Sequence, residues 1–360
     1  MSTVYFADAK VRKLDRDASL PAKFRRLLES LDMGHQLKDK SVMIKMHVGS
    51  GIGYTTIHPL FVRLLADYVK ECGGRPFITD VCGLDAKRGY TQEVTGCPFY
   101  PATGVKDSSF IVREVPEGYG LQELQIGRVV QDADFLITFS HAKGHGNCAY
   151  GGAIKNLAMG FLTGKSRTDV HMTVSARPYW QREKCRFCRL CVKNCRCNAI
   201  TLDKKNGMYI EFHTCYYCMR CVAVCPTGAL TLDEGNYISF QRALALSAKT
   251  ILDLFRGETC HINVILNVTP FCDCLGFSSP SIIPDVGIAA SRDVVALEEA
   301  TLDLMRKQKY IDRSLPGHLK LHSRKGHILQ RIWGKNPYIQ VMEAEKLGLG
   351  DREYTLKEVV

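Results

Sequence analysis

Residues 42–82, VMIKMHVGSGIGYTTIHPLFVRLLADYVKECGGRPFITDVC, read as a strand, a helix and a second strand. The apolar runs at 42–47 and 76–82 are those of buried strands. Between them, residues 58–70 place Pro59 in a first helical turn and Phe61, Leu64, Leu65 and Tyr68 along one stripe, and Cys72-Gly73-Gly74 stops the helix. A strand that returns through a helix pairs parallel with its successor, and such a sheet needs helices on both faces. The expected class is therefore α/β, a mostly parallel sheet covered by helices. Further buried strands are expected at 110–115, 135–140 and 261–268, and helices at 240–255 and 293–305.

Between these two α/β stretches lies a segment of another kind. From Lys184 to Leu232 the chain is dense in cysteine and short-stranded. The expected organisation is an α/β domain in two parts, 1–176 and 237–360, with a small inserted α+β, ferredoxin-like domain at 177–236. At 360 residues the chain exceeds the commonest domain size about twofold, as one domain carrying an insertion would. The last 50 residues hold helical pieces and a polar tail with no assigned place.

Composition narrows the class. Hydrophobic residues make up 46% and charged residues 24%, which excludes disorder, collagen and coiled coil. No stretch approaches the length of uncharged apolar chain that spans a bilayer, and residues 1–13 (MSTVYFADAKVRK) lack the apolar run of a secretory signal. The expected location is the cytoplasm, with no membrane partner. Sixteen cysteines in a reducing compartment point to metal or redox chemistry rather than disulfides. Lysine and arginine exceed aspartate and glutamate by 48 to 37, a formal +11. No basic motif interleaved with aromatics accompanies that charge, so no nucleic-acid partner is expected.

The cysteine spacing is the most specific signal. Cys185-x2-Cys188-x2-Cys191-x3-Cys195 recurs 30 positions later as Cys215-x2-Cys218-x2-Cys221-x3-Cys225-Pro226. Each copy runs on into a short apolar strand, so this is an internal duplication. In such a pair of runs, three close cysteines wrap one 4Fe–4S cluster, and the fourth reaches the other cluster. Cys185, Cys188, Cys191 and Cys225 are thus expected at one cluster, and Cys215, Cys218, Cys221 and Cys195 at the other. A zinc ribbon pairs C-x2-C units across a longer spacer and has no use for the tripled run written twice. Arg196-Cys197 stands where proline usually follows the fourth cysteine; spacing favours Cys195 as the ligand and leaves Cys197 as a packed side chain. Arg182, Lys184, Arg186, Arg189, Lys193 and Arg196 surround the first run. Together they would raise a cluster's potential and dock an acidic redox partner protein.

In a parallel α/β sheet, ligands bind beyond the carboxyl ends of the strands. Four expected strands end in polar loops: one with Lys45 and His47 before Gly49, Gly51 and Gly53; one with Asp80 and Cys82; one with His141, Lys143, His145, Asn147, Cys148, Lys155 and Asn156; and one with Asn267, Thr269, Cys272, Asp273 and Cys274. If these strands are parallel, the loops share one edge, and a single site for a small-molecule ligand is the economical expectation. Taken alone, each part is weak. Gly49-x-Gly51-x-Gly53 serves a tight turn or cradles a phosphate, together with Asn156 a candidate cofactor contact. Lys155-Asn156 reads as a cationic anchor or as a surface pair. Each of His47, His141, His145 and His171 alone reads as an ordinary polar residue. GFLTGKS at 160–166 has its first glycine one position too late for a phosphate-binding P-loop. Cys272-Asp273-Cys274 is more specific: with Cys82 or Cys148 and a histidine it would complete a soft-metal site, or it would cycle as a dithiol.

The stretches IKMHVGSGIGYTT (44–56), GHGNCAYGGAIKNLAMG (144–160), NVTPFCDC (267–274), IIPDVGIAASRDVVALEEA (282–300) and AEKLGLGDREY (344–354) resemble the family called domain of unknown function 362, in its subgroup of iron–sulfur centre proteins with an inserted two-cluster ferredoxin module. The resemblance implies 4Fe–4S binding and a discontinuous α/β domain, and it supplies no substrate. Ser291-Arg292-Asp293-Val294-Val295-Ala296 departs from the family's Asp-Pro-Val-Ala, a change expected to alter a helix start rather than chemistry.

The functional expectation is an iron–sulfur protein, an oxidoreductase or an electron-transfer component, that binds two 4Fe–4S clusters. It would pass electrons to a substrate, flavin or additional metal at the sheet edge, with Lys45, His47, His141, Lys155, Cys272 and Cys274 as candidate catalytic residues. The alternative is a non-enzymatic binding or regulatory protein whose clusters are structural or sensing.

Overall fold

The computed structural model describes residues 1–81, 86–175, 179–317 and 319–360. Eight strands build one sheet: β1 (Ser2–Asp8), β2 (Ser41–Lys45), β3 (Arg75–Asp80), β4 (Phe99–Pro101), β5 (Phe135–His141), β6 (Thr259–Ile265), β7 (Gly287–Ser291) and β8 (Tyr354–Glu358), in the order β8-β1-β7-β6-β5-β2-β3-β4. Strand β7 runs antiparallel to β1 and β6, while the other neighbouring pairs are parallel. The α/β, mostly parallel architecture is the one the strand–helix–strand reading anticipates.

Helices α1 (Leu20–Ser30) and α2 (Pro59–Glu71) cover one face, where Phe24, Leu28, Phe61 and Leu65 meet Ile44, Ile137, Phe139 and Ile262. The His58 ring caps α2 by accepting from the Leu60 N–H, and Pro59 opens its first turn. The opposite face is covered by α3 (Ala153–Phe161), α4 (Gly235–Leu252) and α5 (Val294–Arg306). Asp293 caps α5 by accepting from the Val295 and Ala296 N–H groups, so the departure from the family pattern does fall on a helix start.

One expectation is corrected, and the unassigned tail finds its place. The run at 110–115 does not join the main sheet: among the described residues Phe110–Glu114 pairs only with Glu123–Gly127, in a hairpin whose first strand ends in three exposed residues. The apolar letters there serve a local flap rather than a core strand. The polar tail, in turn, forms β8, parallel to β1 at the sheet edge. An edge strand can be polar on its open side, which hides it from a search for apolar runs.

The expected start of the inserted domain, at 176/177, lies outside the described residues. Beyond it the duplication is visible in the backbone itself. Helices Leu190–Lys193 and Arg220–Ala223 are 30 residues apart, and the left-handed residues Phe187 and Tyr217 (φ 54° and 52°), Arg189 and Met219 (60° and 58°) and Asn198 and Gly228 (52° and 62°) repeat at that same offset. Strands Ile200–Asp203 and Gly207–Ile210 form a hairpin, and Leu230 bridges back to Trp180. The segment is not a separate bead: Ile200, Phe212, Tyr216 and Leu230 belong to the same apolar core as α3, α4 and α5.

Candidate functional site

Each copy of the cysteine run wraps a cavity, and each cavity borrows from the other copy. One is lined by Cys185, Cys188, Cys191 and Cys225; the other by Cys195, Cys197, Cys215, Cys218 and Cys221. The fourth cysteine of each run thus lines the cavity of the other run. The left-handed residues at 187, 189, 217 and 219 bend the chain around the sulfurs. Backbone N–H groups approach sulfur as well, Phe187 on Cys185 at 3.4 Å and Ala199 on Cys195 at 3.3 Å. Cys197 lies 3.7 Å from Cys195, sulfur to sulfur, at the rim of the second cavity. All six basic residues around the first run are exposed.

A larger cavity of about 410 Å³ opens at the carboxyl ends of β2, β3 and β5, and all four strand-end loops contribute to it. His47 of the first loop lies 2.8 Å from Asp80 of the second, and Lys155 of the third lies 3.1 Å from Cys272 of the fourth. Lys45 sits behind the wall, fully buried, donating to Asp80 (3.1 Å), Asn156 (2.8 Å) and the Met46 carbonyl (3.0 Å). Asn156 in turn donates to the Lys45 and Phe139 carbonyls and to Ser140. Lys155 and Asn156 are both buried, which overturns the surface-pair reading.

The Cys272-Asp273-Cys274 loop is anchored through its middle residue. The buried Asp273 carboxylate lies 2.9 Å from His141 Nδ1 and 3.0 Å from Lys143 Nζ, and Trp333, at the end of α6 (Ile328–Trp333), donates to the Pro270 carbonyl. His141 is thereby committed to Asp273 and to the Leu266 carbonyl, and it does not reach the cavity lining. Gly49-x-Gly51-x-Gly53 stands beside the same loop. Ile52 donates to Gly276, Gly53 donates to Ser50, and the Arg88 guanidinium donates to the carbonyls of Val48, Gly49 and Gly51. These contacts close a tight turn, and the two N–H groups are used inside the chain. Cys82 lies outside the described residues.

Two close approaches seat His145. A Cβ on Gly144 would lie 2.2 Å from the Pro270 carbonyl, and one on Gly146 would lie 2.3 Å from that of His213, so only glycine lets this loop press against both. Lys335, fully buried, donates to the carbonyls of Gly146 and Phe212 and ties host loop to inserted segment. His213, Arg167 and Lys335 escaped the sequence reading. His213 had one faint signal, since the first copy carries Glu183 at the equivalent place.

The cavity is cationic. Lys143, Lys155 and Arg167 line it, and Asp80 is its one acidic lining residue among those described. Burial opposes ionisation of Asp80, but Lys45 and His47 hold its carboxyl well below the usual range. Burial also holds His145 and His213 below the ordinary imidazole value and His171 at about 4, so these rings are neutral near pH 7. The thiol of Cys272 is held low by its contact with Cys274 and by Lys155.

A family model described as "Domain of unknown function (DUF362)" matches residues 42–303. The chain belongs to the DUF362 family. The matched span of this DUF362 protein includes both cysteine runs and the Cys272–Cys274 loop. The DUF362 chain is also 29% identical over 160 residues to a thylakoid-associated protein of Synechocystis sp., covering 43% of this chain and 50% of that one. It thus spans about half the length of that relative. Among solved structures, a Thermotoga maritima protein superposes with a TM-score of 0.39 at 12% identity, over 69% of this chain and 50% of the other. The lactate racemase apoprotein of Thermoanaerobacterium thermosaccharolyticum superposes with a TM-score of 0.36 at 12% identity, over 74% and 51%. Among the described residues, no helix is long and apolar enough to cross a membrane.

Proposed function

We propose that this protein is an electron-transfer component that holds two 4Fe–4S clusters in the inserted segment and delivers electrons to a small anionic ligand in the sheet-edge cavity. The observation that carries the reading is the pair of cysteine-lined cavities related by a 30-residue duplication. The donor set fits the group: four cysteines line one cavity and five, Cys197 included, line the other, and N–H groups point at sulfur, as a thiolate-bound cluster requires. Cys185, Cys188, Cys191 and Cys225 would hold one cluster, and Cys215, Cys218, Cys221 and Cys195 the other. Bound there, the clusters supply one-electron redox chemistry.

The protein's own residues do the rest. Arg186, Arg189 and Lys193, exposed beside the first run, offer an acidic donor protein a docking face. Lys143, Lys155 and Arg167 favour an anion in the cavity, and the Lys45–Asp80–Asn156 network fixes the wall behind it. His213 stands two residues from Cys215 and also lines the cavity, so the second run and the ligand site share a wall.

The test is reoxidation. Anaerobically reduced holoprotein, freed of reductant, is mixed with a panel of small carboxylates, phosphates and sulfur oxyanions while cluster absorbance is followed. Saturable reoxidation by one class, weakened in Arg167→Ala, supports the reading. If no member of the panel reoxidises the clusters, the ligand-reducing role is contradicted and the sensing or structural role takes its place.

A further inference from the structure

A second constellation, outside the two cysteine cavities, has the chemistry of a metal centre. The imidazole of His145 and the sulfurs of Cys272 and Cys274 offer three ligand atoms within 4.8 Å of one another. Each is positioned independently of the others' presence. His145 is seated by Gly144 against Pro270 and by Gly146 against His213. The two sulfurs flank Asp273, whose carboxylate is pinned by His141 and Lys143.

The imidazole supplies a second, separate observation. Its Nδ1 lies 3.3 Å from Cys148 Sγ and 3.2 Å from the Asn147 N–H, whereas Nε2 is buried with no hydrogen-bond partner among the described residues. An orphaned buried nitrogen costs free energy unless something binds it. Nδ1 accepts from the Asn147 N–H, so binding of a metal at Nε2 moves the ring proton to Nδ1, where the Cys148 sulfur can accept it in place of the Asn147 contact. The Lys155 ammonium lies 3.1 Å from Cys272 Sγ and 4.0 Å from Cys274 Sγ, close enough to offset the charge of two metal-bound sulfurs.

We propose that His145, Cys272 and Cys274 bind a thiophilic divalent ion, with zinc as the reference case, in a three-ligand site whose fourth position faces the cavity. Two thiolates and one imidazole are a tetrahedral zinc donor set, and three protein ligands leave one position open to a ligand. Zn–S bonds of about 2.3 Å set sulfurs about 3.8 Å apart in a tetrahedron, so closure asks for movements of about 1 Å. His145 and Cys274 both line the cavity, so the open position would face the space that Lys143, Lys155 and Arg167 also line. The site deepens the proposed ligand chemistry, since an anion bound there would coordinate the ion directly, yet the ion's presence does not depend on the clusters.

The experiment uses anaerobically purified holoprotein, incubated with two equivalents of zinc, desalted, and analysed for zinc, iron and sulfide in one sample. The expected result is about one zinc per chain at unchanged iron, with X-ray absorption reporting two sulfur ligands at about 2.3 Å and at least one nitrogen. The double variant Cys272→Ser/Cys274→Ser should lose the zinc and keep its iron. If that variant does not fold, Cys274→Ser, at an exposed position, is read instead. Wild-type protein that retains no zinc at full iron, zinc kept equally by the variant, or a Cys272–Cys274 disulfide in metal-free protein would each overturn the proposal. Iron and sulfide from the same sample report separately on the clusters.

Discussion

The imidazole rings of His145 and His213 pack against each other at a 52° tilt, with centroids 5.3 Å apart. One belongs to a loop at the sheet edge, and the other precedes Cys215 by two residues in the inserted segment. Their contact is the seam across which a cysteine cavity and the cationic cavity become neighbours, and His171 joins it with its ring 5.6 Å from His213. Tethering at both ends keeps the segment near its host, and this seam fixes where.

The exchange of fourth cysteines predicts an unequal pair of double variants. Cys188→Ser/Cys225→Ser removes two ligands from one cavity and should cost about four of eight irons. Cys218→Ser/Cys225→Ser strikes both cavities and should cost nearly all of them. Iron and sulfide analysis after anaerobic reconstitution distinguishes the two. Equal losses would refute the exchange.

Lys335 is a fully buried cation that feels Cys215, and burial lowers its own ammonium to about 8. Lys335→Met removes positive charge near the second cluster, which makes an added electron less favourable there. The expected result is a fall in that cluster's potential on the order of tens of millivolts, with the first cluster's unchanged, in an anaerobic redox titration followed by paramagnetic resonance. A rise, or equal shifts at both clusters, would contradict the placement.

Glu298 lies fully buried among Asn263, Tyr150 and the Ala153 N–H, and burial raises its carboxyl from 4.5 to about 7. The folded protein therefore holds this proton to higher pH than the unfolded chain does. Its contribution, about 3 kcal/mol, is present below about pH 4.5 and is lost as pH rises toward 7. Glu298→Gln, which mimics the protonated acid, should melt with a shallower pH dependence across pH 5 to 7 than wild type (roughly the span between the two values). Parallel curves would show that Glu298 does not titrate there.

Gly146→Ala tests the seam directly. Its Cβ would stand 2.3 Å from the His213 carbonyl, an overlap that backbone must relieve, at a cost of about 2 kcal/mol. The variant should melt lower and should lose the second cluster's iron faster than the first's on exposure to chelator. Unchanged melting would mean that the loop does not press on the segment.

Local pattern reaches as far as local physics does. The strand–helix–strand reading at 42–82 and the duplicated cysteine spacing are signals carried by neighbouring residues, and the first agrees with the parallel pairing of β2 and β3. The meeting of His47 with Asp80 and of Lys155 with Cys272 followed from the rule that parallel strands collect their loops at one edge. What stayed hidden depends on contacts distant in sequence. Lys335 looks like an ordinary surface lysine until it is seen clamping Gly146 to Phe212. The strand at Tyr354–Glu358 owes its place to β1, more than 340 residues earlier. His141 was grouped with the cavity residues because nothing local says that it turns to Asp273 instead.

The central claim is that the duplicated cysteines grip two cubane clusters. Anaerobically reconstituted protein, assayed for iron and acid-labile sulfide and examined by paramagnetic resonance after dithionite reduction, tests it in one sample. About eight irons and eight sulfides per chain, with a spectrum of two interacting reduced clusters, is the predicted result. Zinc in place of iron, no sulfide and no signal would contradict it.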